Sequence, residues 1–350
     1  MPLNIPLLKN ICEIAGAPGF ESRIRNLVIE EIKNHVDEYH IDNMGNLITI
    51  KRGQSDDPKK VMLAAHMDEI GFIVNHIDDN GFLRFQTLGG FDPKTFTAQR
   101  VVVHGRKDII GVMSSKPIHV MSPAEREKPA KKEDYFIDLG MPKEEVEKLV
   151  AVGDPVTRER DLIEMGNCVN CKSIDNRVSV YILIEAMKQL KNHVHDVYAV
   201  FSVQEEVGIR GANVAAHSIN PDFGIALDTT IAYDLPGAQP HEYVTELGKG
   251  TAIKILDAMT ICDTRMVSFL RKTADNHKIK WQNEILVAGG TDTSGIQQKG
   301  KNGAISGAIS IPTRHLHQVI EMAEKDDIQA SIDLTVAALE NIHTYNWSWN

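Results

Sequence analysis

The order of apolar and polar positions changes period along the chain. Ile5, Leu8, Ile11, Cys12 and Ala15 recur at helical spacing, which predicts a helix over residues 3–15, and a second amphipathic stretch covers 22–36. Gly16, Pro18 and Gly19 lie between the two stretches; they end the first and reset the chain. Residues 39–41 and 47–50 predict a hairpin turning through Asn43, Met44, Gly45 and Asn46. The run VMLAA at 61–65 is continuously apolar, the pattern of a strand covered on both faces. Beyond Asp68 the runs shorten. Residues 71–77, 82–88, 99–104 and 109–113 are strand-like and separated by Gly, Asp and Asn, which predicts a small antiparallel β-barrel or sandwich. Residues 122–134 are charged, aperiodic and hold two prolines, so a mobile surface loop is expected there.

A helix is expected over 141–150 and a strand over 151–157. From Asp175 a helix–strand rhythm resumes. It predicts helices over 176–191, 211–218, 264–276 and 326–342, with strands over 197–203, 223–227, 284–287 and 304–310. The simplest architecture is an α/β sheet domain made from both ends of the chain, residues 1–67 plus 165–350, with 68–164 inserted as a β-domain.

Composition narrows the function classes. The 350 residues exceed one ordinary domain, and 42% hydrophobic with 25% charged residues is a soluble globular mix. With 38 basic against 48 acidic residues the net charge is −10, and no basic run offers a footprint for nucleic acid. No apolar stretch approaches the roughly 18–20 residues that span a bilayer. The first residues carry neither a basic lead nor a small-residue cleavage site, so a cytoplasmic protein is expected. Four scattered cysteines agree with that compartment, and the Cys168–Cys171 spacing lacks the second pair that a zinc site would need. Tyr345, Trp347 and Trp349 suit either packing on a neighbouring surface or a loose terminus.

Five groups of ionisable residues sit at or just beyond the ends of predicted elements. His66 and Asp68 follow VMLAA, Glu205 and Glu206 follow VYAVFSV, Asp228 follows FGIAL, His315 and His317 follow AISGAISIP, and Asp175 precedes a helix. Open α/β sheets bind ligands outside their strand carboxyl ends, so residues distant in sequence can converge there. Histidines with several carboxylates form a nitrogen–oxygen donor set for Zn²⁺, Co²⁺ or Mn²⁺, with more carboxylates than one tetrahedral ion needs. A pair of ions bridged by one carboxylate fits better, with one carboxylate left to handle protons. Taken singly, each residue has an ordinary structural reading: a turn, a helix cap or a solvated charge.

The segments AAHMDEIGF (64–72), CKSIDNR (171–177), SVQEEVGIRGA (202–212), IALDTT (225–230), GGTDTSGI (289–296) and ISIPTRHLHQVIE (309–321) together resemble the TET aminopeptidases, a family of co-catalytic metallopeptidases. The resemblance runs nearly end to end. It implies a mixed-sheet, three-layer α/β/α metallopeptidase domain with an inserted PDZ-like β-barrel that pairs subunits into dimers, six dimers building a hollow homododecamer. It also implies two divalent metal ions, Zn²⁺ or Co²⁺, with His66 and Asp228 on one, Glu206 and His317 on the other, and Asp175 bridging them. Glu205 takes the role of general base, Asp68 that of a partner fixing the His66 tautomer, and metal-bound hydroxide that of nucleophile on the first carbonyl of a peptide substrate. The peptide bond after Asp175 is expected to be cis. Two positions depart from the family pattern: Thr293-Ser294-Gly295 replaces a smaller pair after G-G-T-D, and His315 stands where a tyrosine is usual, so His315 competes with His317 for the ligand role.

Two other functions remain open on the residues. A glycoside hydrolase would use paired carboxylates, but adjacent Glu205 and Glu206 on an extended segment point apart rather than facing each other across a sugar. A non-catalytic peptide-binding or assembly protein on the same fold would have no need of Glu205.

Overall fold

A computed structural model describes residues 2–349. An 11-stranded mixed sheet forms the larger body. Four strands at its centre run parallel, in the order Asp196–Ser202, Lys60–His66, Phe223–Ile231 and Ile305–Arg314. Along Lys60–His66 the side chains alternate between two buried layers. Val61, Leu63 and Ala65 join the main core, while Met62 and Ala64 join a second cluster with Ala215, Ala216 and Ile296. Burial on both faces is why this strand reads as an unbroken apolar run rather than an alternating one.

Helices cover both faces. Ile174–Gln189, packed against Ile5–Glu13 and Lys325–Asn341, closes the larger core, and Arg210–Ile219 with Asp292–Lys299 closes the smaller. The expected three-layer α/β architecture is therefore present. So is the inserted barrel. Strands Gly71–Ile77, Leu83–Leu88, Tyr135–Asp138, Asp108–Ser115, Gln99–His104 and Pro155–Arg158 close in that order into an antiparallel barrel. It has its own core, where Phe72 packs edge-on against Phe85 and Phe96 with ring centres 5.0 and 5.5 Å apart. Strand Ile163–Met165 already pairs in the large sheet.

Several local differences from the pattern have physical causes. Strand Thr251–Leu256 has no clear apolar pattern because buried Lys254 interrupts its run. Helix Asp292–Lys299 went unread because Gly, Thr and Ser fill its first turn and no apolar stripe marks it. Within 122–134 two short turns are helical: Pro123–Arg126, closed by a capping box between Ser122 and Glu125, and the 3₁₀ turn Lys132–Asp134. The terminal aromatics pack on the body: Trp347 lies 4.7 Å from Phe223 and 5.3 Å from Phe269, and the Arg265 guanidinium stacks 3.6 Å from the Trp349 ring. Among the described residues no helix is long and apolar enough to cross a membrane.

Candidate metal centre

The parallel strands deliver the site. His66 is the last residue of its strand, in register with Ser202 at the end of the next, and Asp228 lies toward the end of Phe223–Ile231. Past Ser202 the chain turns sharply, with Gln204 at φ 55 and Ile209 at φ 57, left-handed values uncommon for side-chain-bearing residues. Asp68 pins this turn. Its Oδ1 accepts the Glu205 N–H at 3.0 Å and its Oδ2 the Glu206 N–H at 3.1 Å. His66 Nδ1 meets the Asp68 main-chain carbonyl at 3.1 Å and the carboxylate at 3.4 Å, which directs Nε2 into the site.

Asp175 stands at the centre. Its Oδ1 is 3.3 Å from His66 Nε2 and its Oδ2 is 3.3 Å from His317 Nε2. Asp228 approaches the same His66 nitrogen at 3.7 Å and Glu205 at 3.8 Å, and Glu206 lies 3.5 Å from His317 Nε2. The ligand atoms fall into two sets, His66–Asp175–Asp228 and Asp175–Glu206–His317, each within 4.8 Å and sharing Asp175. The Asp175–Asn176 peptide bond is cis. His317 therefore faces the centre, while His315 lines a separate apolar cavity with Leu235, Val319 and Ile320.

This cluster packs more negative charge than the surrounding protein balances. Burial, then the charge of Asp175, pushes Glu206 up to about 8, and burial also raises Glu205 and Asp228. Burial penalises charge on Asp175 as well, but the nearby His317 and His66 imidazoles outweigh it and hold that carboxyl below its ordinary range. The histidines respond in kind. Burial works against their charged forms, yet contact with Asp175 raises His66 and carries His317 to about 10. Asp175 Oδ1 and Glu206 Oε1 are buried and have no hydrogen-bond partner. Buried carboxylate oxygens without a hydrogen bond, set among imidazole nitrogens, are the setting a divalent cation fits, and the all-nitrogen–oxygen donor set suits Zn²⁺, Co²⁺ or Mn²⁺.

A cavity of about 650 Å³ opens onto the cluster. Beside His66, Asp175, Glu205, Glu206, Asp228 and His317 its wall includes apolar Ile231, Met259 and Leu286 and the charged pair Lys254 and Asp257. Lys254 is buried against Glu284 at 2.5 Å and Asp257 at 3.5 Å. The cysteine pair is elsewhere. Cys168 and Cys171 lie on one strand, are free thiols, and join neither ligand set.

Sequence reading gave no role to several charged residues near the site. Glu69 is fully buried between Lys172 and Arg177, which also holds the Ile11 and Ile14 carbonyls at 2.7 and 2.8 Å. Asp292 is buried and accepts the Ser202 hydroxyl at 2.5 Å, and burial raises it to about 7. Glu321 is buried behind Asp175. Asp292 and Glu321 both fall inside recognised segments, GGTDTSGI and ISIPTRHLHQVIE, so their positions were visible although their partners were not.

The chain is similar to known proteins along most of its length. The profile of the M42 glutamyl aminopeptidase family matches residues 45–334. A putative aminopeptidase of Acetivibrio thermocellus is 40% identical over 334 residues, covering 95% of this chain and 97% of its own. The lysyl aminopeptidase of Pyrococcus furiosus is 35% identical, with 96% of each chain covered. Among solved structures, an aminopeptidase of the archaeon Desulfurococcus kamchatkensis superposes with a TM-score of 0.92 at 39% identity, covering 96% of this chain and 94% of its own. The TET1 peptidase of Pyrococcus horikoshii, which can assemble into a tetrahedron or a large octahedral shell, superposes at 0.86 with 31% identity, covering 96% of this chain and 98% of its own.

Proposed function

Since the chain belongs to the M42 glutamyl aminopeptidase family and is an aminopeptidase, we propose that it removes residues one at a time from peptide amino termini at a centre holding two divalent cations. The observation that carries this is Asp175, whose two oxygens face two histidines, each joined by a further carboxylate. His66 and Asp228 would hold one ion and Glu206 and His317 the other, with Asp175 between. Bound there, Zn²⁺ or Co²⁺ would supply Lewis acidity to water and to the scissile carbonyl.

The chain's own groups do the rest. Burial raises the proton affinity of Glu205, which suits a carboxylate that collects a proton from water and returns it to the departing amine. Asp68 fixes where Glu205 points by holding the main chain of the turn that carries it. Carboxylates around the cavity attract a peptide's terminal ammonium, and Ile231, Met259 and Leu286 exclude water from its first side chain.

Residues 68–164 are read as the dimerisation and assembly unit of a homododecamer, supported by the separate barrel core and by the likeness to a self-assembling TET1 peptidase. The cytoplasm is read as its compartment, supported by four free cysteines.

Aminoacyl p-nitroanilides test the reading. A chelator should abolish their hydrolysis and Zn²⁺ or Co²⁺ should restore it, whereas a glycosidase working through two carboxylates alone would ignore chelation. Glu205→Gln should bind the cations normally and lose roughly 10²- to 10⁴-fold in kcat. Chelator-resistant turnover, or an active Glu205→Gln enzyme, would overturn the mechanism.

A further inference from the structure

Glu321 opens strand Glu321–Glu324, four residues past His317, and is only 1% exposed. Its Oε2 accepts the Asp175 N–H at 2.8 Å and its Oε1 accepts the His317 N–H at 3.0 Å. One carboxylate thus ties together the main chains of two residues whose side chains also meet, at 3.3 Å. A second tie joins the same two segments through their carbonyls. Arg158, on the last barrel strand and 3% exposed, donates from Nη2 to the Lys172 carbonyl at 2.9 Å and from Nη1 to the Gln318 carbonyl.

The two ties are complementary: the carboxylate takes N–H groups and the guanidinium takes C=O groups, each side chain using both arms. His317 needs such holding. It sits in a turn rather than on a strand, at φ 58, and its side chain is 39% exposed. His66, by contrast, ends a central strand and touches neither residue. The loop after barrel strand Leu83–Leu88 also reaches the His317 ring: a Cβ at Gly90 would stand 3.4 Å from Nδ1.

We propose that Glu321 and Arg158 are positioning residues for the Glu206–His317 cation, acting through the main chains of Asp175 and His317, and that the inserted barrel builds this half of the centre through Arg158. This rests on the two-cation reading. A carboxylate accepts at both oxygens, so Glu321→Gln turns one acceptor into an NH₂ facing an N–H donor. Arg158→Lys keeps the charge and loses one arm of the fork.

The test is a Co²⁺ titration of cation-free full-length protein, followed by visible absorption, for the wild type, Glu321→Gln and Arg158→Lys. Thermal melts of each identify any variant that fails to fold, in which case the other decides. The wild type should bind two Co²⁺ per chain. Each folded variant should bind the Glu206–His317 ion about 10- to 100-fold more weakly, and the His66–Asp228 ion, which shares Asp175 but not His317, less weakened than that. A wild type that binds fewer than two ions would sink the two-cation reading itself. Two ions in the wild type with both affinities unchanged in the variants, or both weakened alike, would leave that reading standing and overturn the positioning role.

Discussion

At the scale of single residues, the centre is held in tension by charges of both signs brought together out of water. Without cations, His317 sits at about 10 and Glu206 at about 8, so both carry protons at neutral pH, and His66 is raised in the same direction. A histidine ligand must be neutral and a carboxylate ligand ionised. A cation bound by these groups would therefore expel protons, and the sign follows: affinity would fall as pH falls, because protons compete for the same atoms. Calorimetry of Zn²⁺ binding at pH 7 in two buffers of different ionisation enthalpy should give different apparent heats. Identical heats would mean that these groups are already deprotonated. The residues in this balance were legible as types in the sequence. Which atoms face each other was not, since Asp175 and His317 meet through a turn that no hydrophobic period describes.

Among the elements, the turn after strand Asp196–Ser202 matters most, because it aims Glu205 and Glu206. Asn46, from the hairpin strand's approach, spans it: its Oδ1 accepts the Val203 N–H at 3.0 Å and its Nδ2 donates to the Gly211 carbonyl at 3.0 Å. Gly211 is required by this closeness, since a Cβ there would lie 2.3 Å from Asn46 Oδ1 and 2.4 Å from the Val203 carbonyl. Gly211→Ala should cost about 1–3 kcal/mol, as overpacking against main chain does. A lower urea midpoint at constant m would register it. An unchanged midpoint would show that the turn yields, and aminopeptidase activity would then tell whether Glu205 has moved with it. Sequence pattern located the strand but not this turn, whose shape depends on a side chain from a distant hairpin.

For the whole molecule, the barrel and the sheet have separate cores yet meet beside the candidate metal centre through Arg158 and Gly90. If the barrel also pairs subunits, native mass measurement should find multiples of a dimer, up to twelve chains, and a monomer at working concentration would contradict the assembly. Residue order alone carried the α/β class, the β-insertion and the candidate ligands, because two-sided burial writes continuous apolar runs and polar residues at strand ends interrupt them. It left Lys254 hidden as a break in a strand and Glu321 as an unremarked glutamate. It took the folded chain to place His317 rather than His315 against Asp175 and to set Asp68 as the brace of the glutamate turn. Those outcomes depend on hydrogen bonds between segments far apart along the chain, and no local period of apolar residues records which main-chain groups a buried carboxylate will reach.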